Sequence, residues 1–293
     1  MSGGALRVAA APISWGVCEV PGWGHQLAPA RVLAEMAQLG FTATEFGPDG
    51  FLPLDPAGRA ATLRAHGLVA VGAFVPLVLH EAGHDPLPAA RTALAALGAC
   101  GAHTLVVAAA TGRGGYDRRP ELDAPGWRTL LANLGAVCEL AAAHGVTAAL
   151  HPHLGTVIEG PAEVGRVLEG GGVPLCLDTG HLLAGGTDPL EVARRHPGRI
   201  AHVHLKDVDA DLAALVRAGR LRYAQAVAAG LYRPLGQGDV DIAALVRVLQ
   251  GHGYGGWYVL EQDTVLSAEP AAGQGPIGDV RAGLDFLRAL GRP

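Results

Sequence analysis

The sequence predicts an α/β fold, a (β/α)8 TIM barrel. Three observations carry this: strand-like apolar runs alternate with helical ones, eight such pairs occur, and together they fill 293 residues. Strands that alternate with helices form parallel sheets. Eight units in a chain somewhat above about 250 residues is the size of a closed barrel. A doubly wound open sheet is the runner-up. It usually has fewer strands, and no Gly-rich phosphate fingerprint follows the first strand here.

The elements follow in order. Strand one covers 8–15 (VAAAPISW), and its helix, 28–40, stops on Gly40. Strand two is 43–47, with a helix at 55–67; strand three is 69–77, with a helix at 85–101. Strand four is 104–110, and the GRGG at 112–115 lacks phosphate-loop spacing and reads as a loop. A long helix at 124–145 leads to strand five, 147–153, and a helix at 160–170. Strand six is 174–181, with a helix at 188–198, and strand seven is 200–207. An insertion, 208–240, delays the next helix, 241–253; its DLAALVRAG and YAQAVAAG segments read as two short helices over the barrel mouth. Strand eight, 257–263, and a helix at 278–290 complete one barrel domain spanning 1–293.

Composition narrows the function. With 49% hydrophobic residues the chain can bury a large core, and its net charge of −5 (pI about 6.2) with no dense Lys/Arg run argues against nucleic acid as a partner. The N-terminal segment MSGGALRVAAAPISW lacks the pattern of a leader. No stretch reaches the roughly 20 apolar residues of a membrane span, so no membrane association and a cytoplasmic location are expected. The four cysteines show no CxxC spacing and read as reduced thiols rather than a zinc site. Self-association into a homo-oligomer stays open.

The chemistry concentrates where barrels place it, at the C-terminal ends of the strands. Strand one ends in Ser14-Trp15, strand two near Glu45, and His80 follows strand three. Five of the 13 histidines (His151, His153, His181, His202, His204) fall on strands five to seven. In IAHVHLKD, alternation puts His202, His204 and Lys206 on one face, opposite Val203 and Leu205. Two imidazoles and an ammonium need partners if buried. Asp178, His204 and Glu261 end three successive strands, and this donor set suits Mn²⁺, Co²⁺, Mg²⁺ or Zn²⁺. Any one of them alone would read as a satisfied polar group. The three together mark a site for one divalent metal ion.

The segments APISWG, TEFGPDG, HPHLGT, LDTGH, HVHLKD and GQGDVD, in this order, resemble the xylose-isomerase-like sugar isomerase/epimerase superfamily, and within it the inosose dehydratase group. The resemblance covers nearly the whole chain. It implies a divalent ion held by a carboxylate on strand five and by Asp178, His204 and Glu261. The strand-five position holds His151 instead. Either His151 ligates, or His151 and His153 bind substrate; Glu159 could reach back as the missing carboxylate, or simply favour the start of the next helix. His181 resembles the superfamily's substrate-binding histidine. Glu45 and His202 are assigned to substrate as well. Lys206 either polarises a carbonyl or extends to solvent, and Trp15 either stacks on a sugar ring or packs. The catalytic residues expected are Glu261 as base, Lys206, and His153 as a neutral acid for a departing hydroxyl.

The resemblance implies a metal-dependent lyase acting on a keto-sugar or keto-cyclitol through an enediolate, an inosose dehydratase first and an isomerase or epimerase second. An endonuclease of the same fold, acting on abasic DNA, would need more ligands and a basic groove. A non-catalytic sugar-binding protein would need no metal.

Overall fold

The computed structural model describes residues 6–291. Residues 1–5, within the segment read as lacking a leader, and 292–293, the end of the expected 1–293 domain, lie outside the described residues. Among the described residues no helix is long and apolar enough to cross a membrane.

Eight parallel strands close into a barrel: Val8–Ala10, Ala43–Glu45, Val69–Val78, Thr104–Ala110, Thr147–Leu150, Leu175–Asp178, Ile200–Leu205 and Tyr258–Leu260. Strand one seals it, pairing Val8 with Tyr258 on one side and Ala10 with Thr44 on the other. Helices surround the barrel, and Leu33, Met36, Leu97, Leu130 and Leu249 form part of the core packed with the strands. Helix starts are written into the sequence. Asp55 and Asp188 accept backbone N–H bonds as caps, and Pro56 and Pro189 follow at a position where no backbone donor is needed.

Several strands stop earlier than alternation suggests; strand eight ends at Leu260 and leaves Glu261 just beyond it. Strand one ends at Ala10, because Pro12 opens a short 3-10 turn over Pro12–Trp15 that Gly16 closes in the left-handed region at φ 78°. Strand five ends at Leu150, so His151 and His153 stand on the loop that follows. Strand six ends at Asp178, which caps the helix Thr179–Gly185 and so turns TGH from strand into helix.

The insertion forms helices at Ala210–Arg217 and Tyr223–Ala228, plus a ribbon pairing Asp207–Val208 with Tyr232–Arg233. Asp207 fastens it. Its fully buried carboxylate accepts the N–H groups of Val208, Gly236, Gly238 and Val240 at 2.8–3.0 Å. A Cβ on Gly238 would collide with that carboxylate, so the GQGD turn needs glycine there. Hydrogen bonds to a charged acceptor contribute about 1.5–3 kcal/mol each. Asp207→Ala is therefore expected to lower stability by about 3 kcal/mol or more, read as a lower urea midpoint; an unchanged midpoint would assign the anchor elsewhere.

Candidate metal centre

Strand register assembles the site. Asp178 pairs with His204 across strands six and seven, and the Glu261 N–H donates to Leu205 O, which sets Glu261 beside Lys206. One oxygen of Asp178, Oδ1, caps its helix by accepting from the His181 N–H at 2.8 Å. The other, Oδ2, faces inward, 3.2 Å from His151 Nε2, 3.6 Å from His204 Nδ1 and 3.4 Å from Lys206 Nζ. Glu261 Oε2 lies 3.2 Å from His204 Nδ1 and 3.0 Å from Lys206 Nζ. Asp178 is 0%, His204 1% and Glu261 6% exposed, so the cluster is buried.

These residues fit a divalent ion. His204 Nδ1 is buried without a hydrogen-bond partner among the described residues, although two carboxylates flank it. Its other nitrogen, Nε2, lies 3.0 Å from Glu45 Oε1, which can only accept. Burial would lower the His204 pKa, but Cys176, Glu261 and Glu45 hold it well above the ordinary imidazole value, so without an ion the ring is cationic; a divalent ion at Nδ1 would take the place of that proton among the same carboxylates. Ligand bonds of about 2.1 Å separate neighbouring donor atoms by about 3.0–3.4 Å, close to the contacts here. Asp178, His204 and Glu261 offer donor atoms within 4.8 Å of one another; so do His151, Asp178 and His181. Two carboxylates and an imidazole suit a hard or borderline cation, without selecting one.

The electrostatics are dominated by burial and countered by pairing. Burial alone would pull the Lys206 ammonium down, but Asp178, Asp263 and Glu261 hold its pKa well above the usual lysine value. Burial would raise the Asp178 and Glu261 carboxyls. Lys206 and His181 hold Asp178 well below the carboxylate range, and His204 and Lys206 hold Glu261 below it. Burial pushes His181 down, helped by His153 and Lys206. His153 falls to about 3, by burial first and then His151 and Lys206.

Several expected roles change. Trp15 does not face the mouth: it is 0% exposed and its indole N–H donates to Glu35 on the first helix at 2.9 Å, so the 3-10 turn has converted a stacking candidate into core. Glu159 does not replace the strand-five carboxylate. It accepts from the Gly155 N–H at 2.6 Å and pairs with Arg119 at 3.2 Å, in the wall of a cleft of about 740 Å³. Glu45 and His202 meet each other at 2.8 Å instead of opening toward a substrate. The Lys206 side chain does not extend to solvent; it is 2% exposed. His153 is not placed as an acid. Its Nδ1–H donates to Leu154 O at 2.6 Å, which leaves Nε2 as an acceptor, and its low pKa keeps it neutral.

His181 stays beside the cluster, accepting from Lys206 at Nε2 (3.0 Å) and lying under the His153 ring at 3.6 Å. Sequence reasoning assigned nothing to Asp263, which pairs with Lys206 at 2.8 Å and accepts from Tyr223 Oη at 2.8 Å. The signal was present, since Asp263 stands two residues beyond Glu261. Tyr116, Tyr223 and Tyr232 had no such signal; they arrive from loop and insertion.

A closed eight-strand barrel with acid–imidazole donors at its strand ends defines the class, and the family model described as xylose isomerase-like TIM barrel matches residues 33–290. The chain belongs to that family. Among its relatives, the inosose dehydratase of Geobacillus kaustophilus (strain HTA426) is 32% identical over 271 residues, 88% of this chain and 87% of that protein. The rhizopine catabolism protein MocC of Rhizobium meliloti is 34% identical over 269 residues, 88% of this chain and 82% of that protein. An L-ribulose 3-epimerase structure superposes with TM-score 0.70 at 18% identity, covering 98% of this chain and 94% of that one. The IOLI protein with a bound zinc atom gives TM-score 0.69 at 12% identity, over 97% and 98% of the chains. Both share the fold.

Proposed function

We propose that this chain is a metal-dependent dehydratase of a keto-cyclitol, an inosose, using one divalent ion. The observation that carries the reading is the 3.0 Å contact of Glu261 Oε2 with Lys206 Nζ beside the ligand set. It supports reading Glu261 as the base and Lys206 as the acid, one proton transfer apart. Inosose dehydratases among the relatives, at 32% identity over most of both chains, supply the substrate class.

Asp178, His204 and Glu261 would hold the ion, with His151 the candidate fourth ligand. When bound, the ion supplies Lewis acidity at the substrate carbonyl. The protein's own groups do the rest. Glu261 takes the proton α to the carbonyl, and the C–H electrons pass into an enolate. The β C–O bond then breaks, and Lys206 donates the proton with which hydroxide leaves as water. Glu261 returns its proton to Lys206 across 3.0 Å, restoring both groups. His153 Nε2 accepts from a substrate hydroxyl, and the protein dipoles replace the water that burial excludes.

Incubation with inosose and Mn²⁺ or Co²⁺ is expected to produce a conjugated enone, seen as ultraviolet absorbance, and chelation should abolish it. A parallel reaction in deuterated water tests the outcome. Deuterium incorporation with epimer or isomer formation and no enone would overturn dehydration. Full activity in metal-free protein would overturn the metal requirement.

A further inference from the structure

His204 presents two nitrogens to two different environments. Nδ1 faces Asp178 and Glu261, whereas Nε2 meets Glu45 Oε1 at 3.0 Å. The same Glu45 oxygen accepts from His202 Nε2 at 2.8 Å. All three residues are buried, Glu45 to 3% and His202 to 1% exposure, so this oxygen is committed to the two imidazoles. Burial would raise the Glu45 carboxyl, but His204 and His202 hold it well below its usual range, which keeps it an acceptor.

The backbone is shaped to deliver that carboxylate. The register between strands two and three slips between Thr44 and Glu45, pairing Thr44 with Ala70 but Glu45 with Gly72. Irregularities of this kind re-aim a side chain. A Cβ at Gly72 would lie 3.2 Å from Glu45 Oε1 and 3.2 Å from Thr104 O, so glycine leaves the room the carboxylate occupies.

We propose that Glu45, braced by His202, is the positioning carboxylate of the metal centre: it fixes the Nε2–H tautomer of His204, so that Nδ1 is the atom offered to the ion. The inference rests on the metal site assigned above. A ligating imidazole whose second nitrogen is held by a carboxylate has a fixed ring orientation and greater basicity. Glu45 makes no contact with the reacting atoms and acts only through His204. Its assignment to substrate gives way to this one.

The test uses the full chain and Co²⁺ as probe, with affinity read by chelator competition and the visible Co²⁺ spectrum. The chain loaded with diamagnetic Zn²⁺ is also read by ¹⁵N–¹H NMR, which reports which His204 nitrogen keeps its proton. Wild type should bind one Co²⁺ per chain and carry the His204 proton on Nε2. Glu45→Gln keeps an acceptor oxygen but loses the charge, and Glu45→Leu loses both. Co²⁺ affinity should fall about 10-fold in the first and about 100-fold in the second, with an altered spectrum. In Glu45→Leu the tautomer should become mixed, a change that general loosening of the fold would not produce. Wild-type affinity and tautomer in both variants would overturn the inference alone. Two Co²⁺ per wild-type chain, with one lost in Glu45→Gln, would overturn it in favour of Glu45, His202 and His204 as ligands themselves. No Co²⁺ bound by wild type would overturn the metal site, and this inference with it.

Discussion

Glu261→Gln is expected to lower kcat on the order of 10²–10⁴, the usual worth of a general base. The change keeps the side-chain shape. It removes the negative charge that faces His204 Nδ1 at 3.2 Å and Lys206 Nζ at 3.0 Å. An amide cannot take up the α proton, and it is a poor ligand beside Asp178. Bound metal per chain, measured with turnover, separates the two losses. Reduced kcat with full metal content isolates the proton transfer, whereas a chain depleted of metal adds the ligand role. Near-normal turnover would make Glu261 structural only.

Lys206→Met should cost as much in rate and more in stability. The ammonium lies within 3.4 Å of Asp178, 3.0 Å of Glu261 and 2.8 Å of Asp263. Removing it leaves three buried carboxylates facing one another, and breaking a buried pair costs about 3–5 kcal/mol. Loss of the general acid lowers kcat on the order of 10²–10⁴. The two effects part on adding Mn²⁺ or Co²⁺. The ion should restore the melting temperature, by binding the folded state and neutralising Asp178 and Glu261, but should not restore turnover. A variant that regains both would show that Lys206 serves only as a counter-charge.

Much of this is legible in the sequence. The alternation of apolar strands with capped helices carries the barrel because it is local, and the same alternation placed His202, His204 and Lys206 on one face, where the structure has them among carboxylates. Pairings set by closure were hidden. Nothing near Glu45 in the chain announces that its partners are 157 and 159 residues away. The direction of Trp15 was lost for a different reason: a 3-10 turn breaks the period of two on which facing depends. Asp263 was passed over although it obeys that period, and Tyr223 and Tyr232 lie in an insertion with no period to read.

The aromatic side chains beside the site link separate parts of the chain. Trp23, from the stretch after strand one, Tyr116, from the loop after strand four, and Tyr223, from the insertion, meet with ring centroids 4.8–6.2 Å apart. Tyr116 also stacks on His153, with ring centroids 5.8 Å apart. Each ring touches the other two, so displacing any one of them leaves the remaining pair in contact. The cluster thereby ties three segments far apart in sequence to one another, and a substitution in one of them is felt by the other two.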